Sequence, residues 1–254
     1  MEYNEFAFKM PRESENYNED SKFVISALEN ILKITIDEGN NKIILNTNLK
    51  HGLPMENINK IAGPIVEAWA YEVFCDIKDK TGNQFQLINV ESCSRLDMAD
   101  ILLQFKKKDT AVTASVDVKA TAEDIENSGK SPNITSFSRI RTAYVEEPDF
   151  MFIVLSLKHK VYSERNFNSG LVDGIMEIIR YNAYDLKYIS NSDISYNPAL
   201  GTGQIQIRDI HYVEYEERTT WDFCQLLDRK YLASSKNNIE DWYKEAVKNK
   251  WIKE

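Results

Sequence analysis

Cysteine, histidine, glycine and proline are all scarce in this sequence. Its three cysteines, Cys75, Cys93 and Cys224, stand far apart in 254 residues. An odd and scattered set argues against a disulfide framework and against a structural zinc site. The three histidines, His51, His159 and His211, are isolated from one another. That leaves no paired metal ligands and no base placed for a Ser–His–Asp hydrolase. The nine glycines and six prolines form no linker or low-complexity tract. Gly201-Thr202-Gly203 lacks the Gly-Lys-Ser/Thr ending of a phosphate loop and reads as a turn. No apolar run approaches the roughly 20 residues that span a bilayer, so no membrane partner is expected. Residues 1–20 are polar and mostly acidic, with no apolar signal core, and the expectation is a cytoplasmic protein. Positive charge is short as well: 31 Lys and Arg face 40 Asp and Glu, for a net charge of −9. This counts mildly against a nucleic-acid partner, although a local basic cleft could still hold DNA. The local basic sets are Lys106-Lys107-Lys108, Arg139 with Arg141, and Lys158-His159-Lys160. Each reads first as a solvated face or turn.

What is present is an ordinary globular composition, 43% hydrophobic and 28% charged, which allows a sizeable core. The reading is a polar arm over residues 1–20, then one domain over 21–254. Ser21 is placed to cap a helix carrying Phe23, Val24, Leu28, Ile31 and Leu32. A second helix fits Asn57 to Lys78, with Ile61, Ile65, Trp69, Val73 and Ile77 spaced by four. Asp100 to Phe105 reads as a largely buried strand, and Val112 to Lys119 as its antiparallel partner across a polar turn. Phe150 to Leu155 is another buried strand, and Ile134 to Tyr144 reads as helical. Gln204 to Arg208 alternates as a strand with one polar face. Thr219 to Leu232 and Ile239 to Trp251 read as closing helices. Helices around a central sheet point to an α/β or α+β fold.

The informative stretch runs from Asp100 to Lys119. Asp100 stands at the mouth of an apolar strand, and Asp117-Val118-Lys119 lies on the next. Side chains two apart on a strand share a face, so Asp117 and Lys119 project together. A hairpin brings Asp100 beside them. Asp97, three residues earlier, is a rival for that place; Asp100 is preferred because it leads directly into the strand. Two carboxylates are hard oxygen ligands suited to Mg²⁺, which polarises a phosphate and helps generate hydroxide. A lysine beside them orients the attacking water and stabilises the charge that develops on the phosphate. On the pattern alone, a surface hairpin with an Asp–Lys pair remains the competing reading.

Asp100 with Asp117-Val118-Lys119 resembles the PD-(D/E)xK nuclease motif. The surroundings resemble the HindII/HincII branch of type II restriction endonucleases. The likeness begins at Ala62-Gly63-Pro64 with Glu67 and Tyr71. It continues through Ala99-Asp100-Ile101-Leu102-Leu103, Asp117-Val118-Lys119 and Pro132-Asn133-Ile134, and returns at Gln204-Ile205-Gln206, Arg208-Asp209 and Trp221. The blocks keep their order and span about residues 60–230. The resemblance implies a restriction-endonuclease-like core, a central mixed β-sheet flanked by helices. It implies Asp100 and Asp117 as Mg²⁺ ligands, Lys119 as the catalytic lysine and Glu67 as an auxiliary acid. Asn133, and Asn197 with Tyr196, fall in segments like the family's DNA-contacting loops; amide side chains suit bidentate reading of adenine. The family's glutamine before Pro-Asn has no match, and Lys130 stands near its place. The loop between the catalytic strands and the segment from Lys119 to Pro132 are both longer here. These departures lie where bases would be read.

The expected function is therefore Mg²⁺-dependent, sequence-specific double-strand cleavage of DNA. It would leave 5′-phosphate ends, with a blunt cut at a short palindrome such as GTYRAC or a variant of it. The expected partners are double-stranded DNA, a second copy of the chain matching the two-fold symmetry of the site, and a cognate DNA methyltransferase. A structure-specific repair or recombination nuclease and a non-catalytic DNA-binding protein are the competing classes.

Overall fold

The computed structural model describes residues 2–94, 96–199, 201 and 203–253; Thr202 of the expected 201–203 turn lies outside them. The chain forms two compact units. One comprises Phe23–Gly129 and Ile153–Ala183; the other comprises Met1–Lys22, Lys130–Phe152 and Tyr184–Glu254.

The strands of the larger sheet are β1 (Lys42–Leu45), β2 (Leu87–Ser92), β3 (Ile101–Lys107), β4 (Thr110–Ala122), β6 (Phe152–Arg165) and β7 (Val172–Asp185), in the order β1-β7-β6-β4-β3-β2. This mixed sheet flanked by helices is the α+β core that the resemblance implied. β6 sits in the middle, and its first six residues, Phe152 to Leu157, are all buried. A central strand covered on both faces needs such a run rather than alternation. β3 and β4 are antiparallel, with Ile101 opposite Val116 and Lys107 opposite Thr110. The hairpin closes over Lys108 and Asp109, with Lys108 in the left-handed region at φ 55°.

Helix α1 (Tyr17–Asp37) starts four residues before the expected cap at Ser21. The Ser21 hydroxyl instead donates to Asp185 at 2.7 Å. Phe23 meets Phe105 of β3 edge-on, with ring centres 6.0 Å apart. The helix expected over 57–78 is two helices, α2 (Met55–Lys60) and α3 (Ala62–Asp79), broken at Ile61, where φ is −104° and ψ is 4°. Pro64 explains the break. Proline has no N–H to donate into a preceding turn, so it fits only where a helix begins. The buried stripe of α3 is Val66, Ala70, Val73, Phe74 and Ile77, packed on β2 and β4. Ile61 is exposed and Ile65 and Trp69 are half-buried, because a strict spacing of four drifts off a 3.6-residue turn.

The other unit holds a three-stranded sheet of β5 (Asn133–Ser136), β9 (Gln204–Ile207) and β8 (Ile194–Asn197), in the order β5-β9-β8. The segment expected to be helical over 134–144 is thus a strand first, then α4 (Phe137–Glu146). Helix α5 (Thr220–Leu232) begins at a capping box of Thr219 and Asp222, and α6 (Ile239–Lys248) begins at Asn238. α6 stops short of the expected Trp251, and Lys250 turns the chain at φ 57°. Trp242, Trp251 and Phe137 are fully buried at the centre of this unit. Phe6 and Phe8 pack their rings against Trp242.

Most of the basic sets are not open surface. Arg141 is fully buried, paired with Asp228 at 3.2 Å and flanked by the rings of Trp221 and Trp251. Lys158 pairs with Glu123, Lys160 with Glu177, and His159 between them is buried. Among the described residues, no helix is long and apolar enough to cross a membrane.

Candidate active site

Asp100 directly precedes β3 and is held at both ends of its backbone. Its N–H donates to Val116 at 3.0 Å, and its carbonyl accepts from Cys93 at 2.9 Å. Its carboxylate turns across to β4, where Oδ2 accepts the Val118 N–H at 2.7 Å. Asp97, the rival acid, instead accepts the Ser94 N–H at 2.7 Å and serves the bend before β3.

Asp117 and Lys119 share a face of β4, as the two-residue period requires, and Lys119 Nζ lies 2.7 Å from Asp117 Oδ1. The Asp117 side chain is only 6% exposed. Its second oxygen, Oδ2, is buried and has no hydrogen-bond partner among the described residues. Burial, with the charges of Asp100 and Glu67 added, pushes the Asp117 carboxyl up to about 7 against the opposing pull of Lys119. Glu67 comes from α3, which packs on β4. Burial, and then the charge of Asp100, raises its carboxyl above the ordinary range, with Lys119 opposing. The same field reaches Cys93, whose thiol is raised by burial and then by Asp97, Asp100 and Glu91. The four catalytic candidates, Glu67, Asp100, Asp117 and Lys119, are therefore electrostatic neighbours. A cleft of about 530 Å³ opens beside Glu67 and Asp100, lined also by Pro64, Tyr71, Cys93 and Asp97; Asp117 and Lys119 do not line it.

These residues fit a divalent cation. An unpaired buried carboxylate oxygen is costly, and three carboxylates face one lysine. A cation would relieve both. No group of three or more His, Cys, Asp or Glu among the described residues converges on a metal position, so a cation here would rest on fewer protein ligands.

The candidate DNA-contacting residues lie in the other unit. Asn133 opens β5 and is exposed. Its Oδ1 accepts from Gln206 Nε2 at 2.9 Å. Asn197 ends β8, and its Oδ1 accepts the Ala199 N–H at 3.0 Å. Lys130 is ion-paired with Asp209. Burial works to raise the Asp209 carboxyl, but the Lys130 and His211 hydrogen bonds and the Lys130 charge outweigh it and hold it low. Tyr196 does not share the side of the sheet that carries Asn133 and Asn197. It packs edge-on to Phe137 and Tyr231, and its hydroxyl accepts from Asn237 at 3.0 Å. Two features escaped the sequence reading. The Val118 N–H bond to Asp100 is a backbone contact that leaves no mark in residue type. The Gln206 bond to Asn133 was half visible in the Gln-Ile-Gln-Ile alternation, which marks Gln206 as outward-facing.

Comparison with known proteins identifies the family. The family described as type II restriction endonuclease HpaI matches residues 4–250. The chain is also 62% identical over 254 residues to the type II restriction enzyme HpaI of Haemophilus parainfluenzae, with all of both chains covered. A family match over nearly the whole length, joined to full-length identity at this level, leaves one conclusion: this chain belongs to the HpaI family of type II restriction endonucleases.

Proposed function

We propose that this protein makes Mg²⁺-dependent double-strand cuts in DNA at a short palindrome, GTYRAC or a variant of it, with blunt 5′-phosphate ends. The observation that carries the reading is the buried Asp117 Oδ2, left without a partner while Asp117 Oδ1 faces Lys119 and Asp100 and Glu67 add their charge. Asp100 and Asp117 would hold the ion. Bound there, Mg²⁺ would supply Lewis-acid polarisation of the scissile phosphate. Lys119 orients the attacking water and stabilises the charge gathering on the non-bridging oxygens. Glu67 accepts a proton from that water, directly or through a second water, and its raised carboxyl makes it a stronger base than an ordinary glutamate. Water adds to phosphorus, the bond to the 3′ oxygen breaks and a solvent water protonates that oxygen, leaving a 3′-hydroxyl and a 5′-phosphate.

Lys130, Asn133 and Asn197 would contact the DNA, with Tyr196 holding β8 in place behind Asn197. A palindrome presents two equivalent strands, so two copies of the chain, one site on each, would make the double cut. A cognate methyltransferase would protect host DNA.

The test is digestion of a long natural DNA with and without Mg²⁺, followed by sequencing of the fragment ends. Discrete Mg²⁺-dependent fragments that share one blunt palindromic site are expected. A structureless smear would instead indicate a nuclease that reads DNA structure. Binding without cleavage across several DNAs and metals would reduce the protein to a DNA-binding one.

A further inference from the structure

The three-stranded sheet has one face with an unusual composition. In its register, Asn133 lies opposite Gln206, and Gln206 opposite Ser195. Ser136 lies opposite Gln204, and Gln204 opposite Asn197. Side chains at these positions share a face, because the row between them, Thr135–Ile205–Tyr196, is turned to the other side. That other side is the packed one: Ile205 is fully buried and Thr135 nearly so. The open face therefore carries two adjacent rows of neutral hydrogen-bonding groups, four of them amides, and the exposed Arg208 follows directly after β9.

The amides are not used up by the protein. Gln206 Nε2 donates to the Ser131 carbonyl and to Asn133 Oδ1, each at 2.9 Å. That bond fixes the orientation of the Asn133 amide. Oδ1 keeps a lone pair to accept with, and Nδ2 points away as a donor with no partner among the described residues. The half-buried Gln204 side chain also makes no hydrogen bond among the described residues. Phosphate contacts want positive charge, whereas base edges want paired donors and acceptors, which amides supply bidentately. These two amide-rich rows are thus suited to bases rather than to the backbone, which the neighbouring Arg208 suits better.

We propose that this face reads the bases of the DNA site. Gln204 acts as a direct base contact beside Asn197, and Gln206 as a positioning residue that sets which way Asn133 presents its amide. The inference rests on the endonuclease function proposed above and names two specificity determinants for it.

The test uses full-length protein and short duplexes carrying the site mapped from fragment ends, alongside each single-base-pair change of it. Parent, Gln204→Leu, Gln206→Leu, Asn133→Ala and the Gln206→Leu/Asn133→Ala double variant are compared for cleavage. Salt dependence of binding is measured in parallel. Gln204→Leu removes no hydrogen bond to the described protein, so it reports even if Gln206→Leu folds poorly. Each glutamine variant is expected to lose about ten- to a hundredfold of discrimination at one base pair and its symmetry mate, with an unchanged salt slope. The double variant should discriminate no worse than Asn133→Ala alone, because Gln206 acts through Asn133. Uniform loss on every duplex, or undiminished discrimination at every position, would overturn the inference while leaving the endonuclease reading intact. A parent protein that cuts no duplex would overturn both.

Discussion

The Val118 N–H donates to Asp100 Oδ2 at 2.7 Å, so the backbone of β4 holds the acid that introduces β3. Val118 stands between Asp117 and Lys119. A single hydrogen bond therefore sets Asp100 against the stretch of β4 that carries the two other residues of the proposed chemistry, and it does so without using a side chain of β4.

That bond separates charge from structure at Asp100. Asp100→Asn keeps an oxygen able to accept from Val118 and removes the charge that repels Asp117. Asp100→Ala leaves the amide without its partner. Both variants should lose cleavage. In urea denaturation without metal, the alanine variant should be the less stable of the two by about 1–3 kcal/mol, the usual cost of an unpaired part-buried group. Equal stability of the two variants would mean that the Val118 bond contributes nothing.

The buried pair Arg141–Asp228 is the counterpart in the other unit. Asp228 also accepts from Tyr3 at 2.7 Å and from Trp242 at 3.0 Å. Arg141→Ala strands a carboxylate that is fully buried, and the expected loss is about 3–5 kcal/mol. Arg141→Ala combined with Asp228→Asn should recover part of it, since no uncompensated charge remains. Denaturant midpoints read both values. A single variant within about 0.5 kcal/mol of the parent, the usual range of surface substitutions, would contradict this picture.

Acid should weaken the Lys130–Asp209 pair in a definite direction. Asp209 is held below the ordinary aspartate range, so folding favours its charged form. Its contribution is present above the unfolded value, about 3.9, and is lost as pH falls through the lower folded value. The gap in thermal midpoint between parent and Asp209→Asn should thus be steady near neutrality and shrink below about pH 4. A gap that is constant down to pH 3, or that widens on acidification, would refute the assignment.

Locality decided how much was legible in the sequence. Asp117 and Lys119 share a face because of strand period alone, and Asp100 reaches them through a two-residue turn, so short-range rules suffice. Glu67 lies fifty positions before Asp117, and no periodicity connects them; only the family resemblance brought it forward. Strand β7 escaped notice because its burial pattern is irregular, with Arg180 exposed in the middle of a mostly covered strand. Ile134 and Thr135 are consecutive buried residues at a bulge, and two adjacent buried positions imitate a helix better than a strand. The break at Ile61 was foreseeable from Pro64, whose missing N–H outweighs a regular apolar spacing.

The most direct test of the catalytic assignment is single-turnover cleavage by Asp117→Ala and Lys119→Ala, with binding to the same duplex measured in parallel. Each variant should bind DNA and keep the parent's fold, yet cut about a hundred- to ten-thousandfold more slowly in Mg²⁺. Cleavage at the parent's rate by either variant would contradict the assignment of Asp117 and Lys119 as the reacting centre.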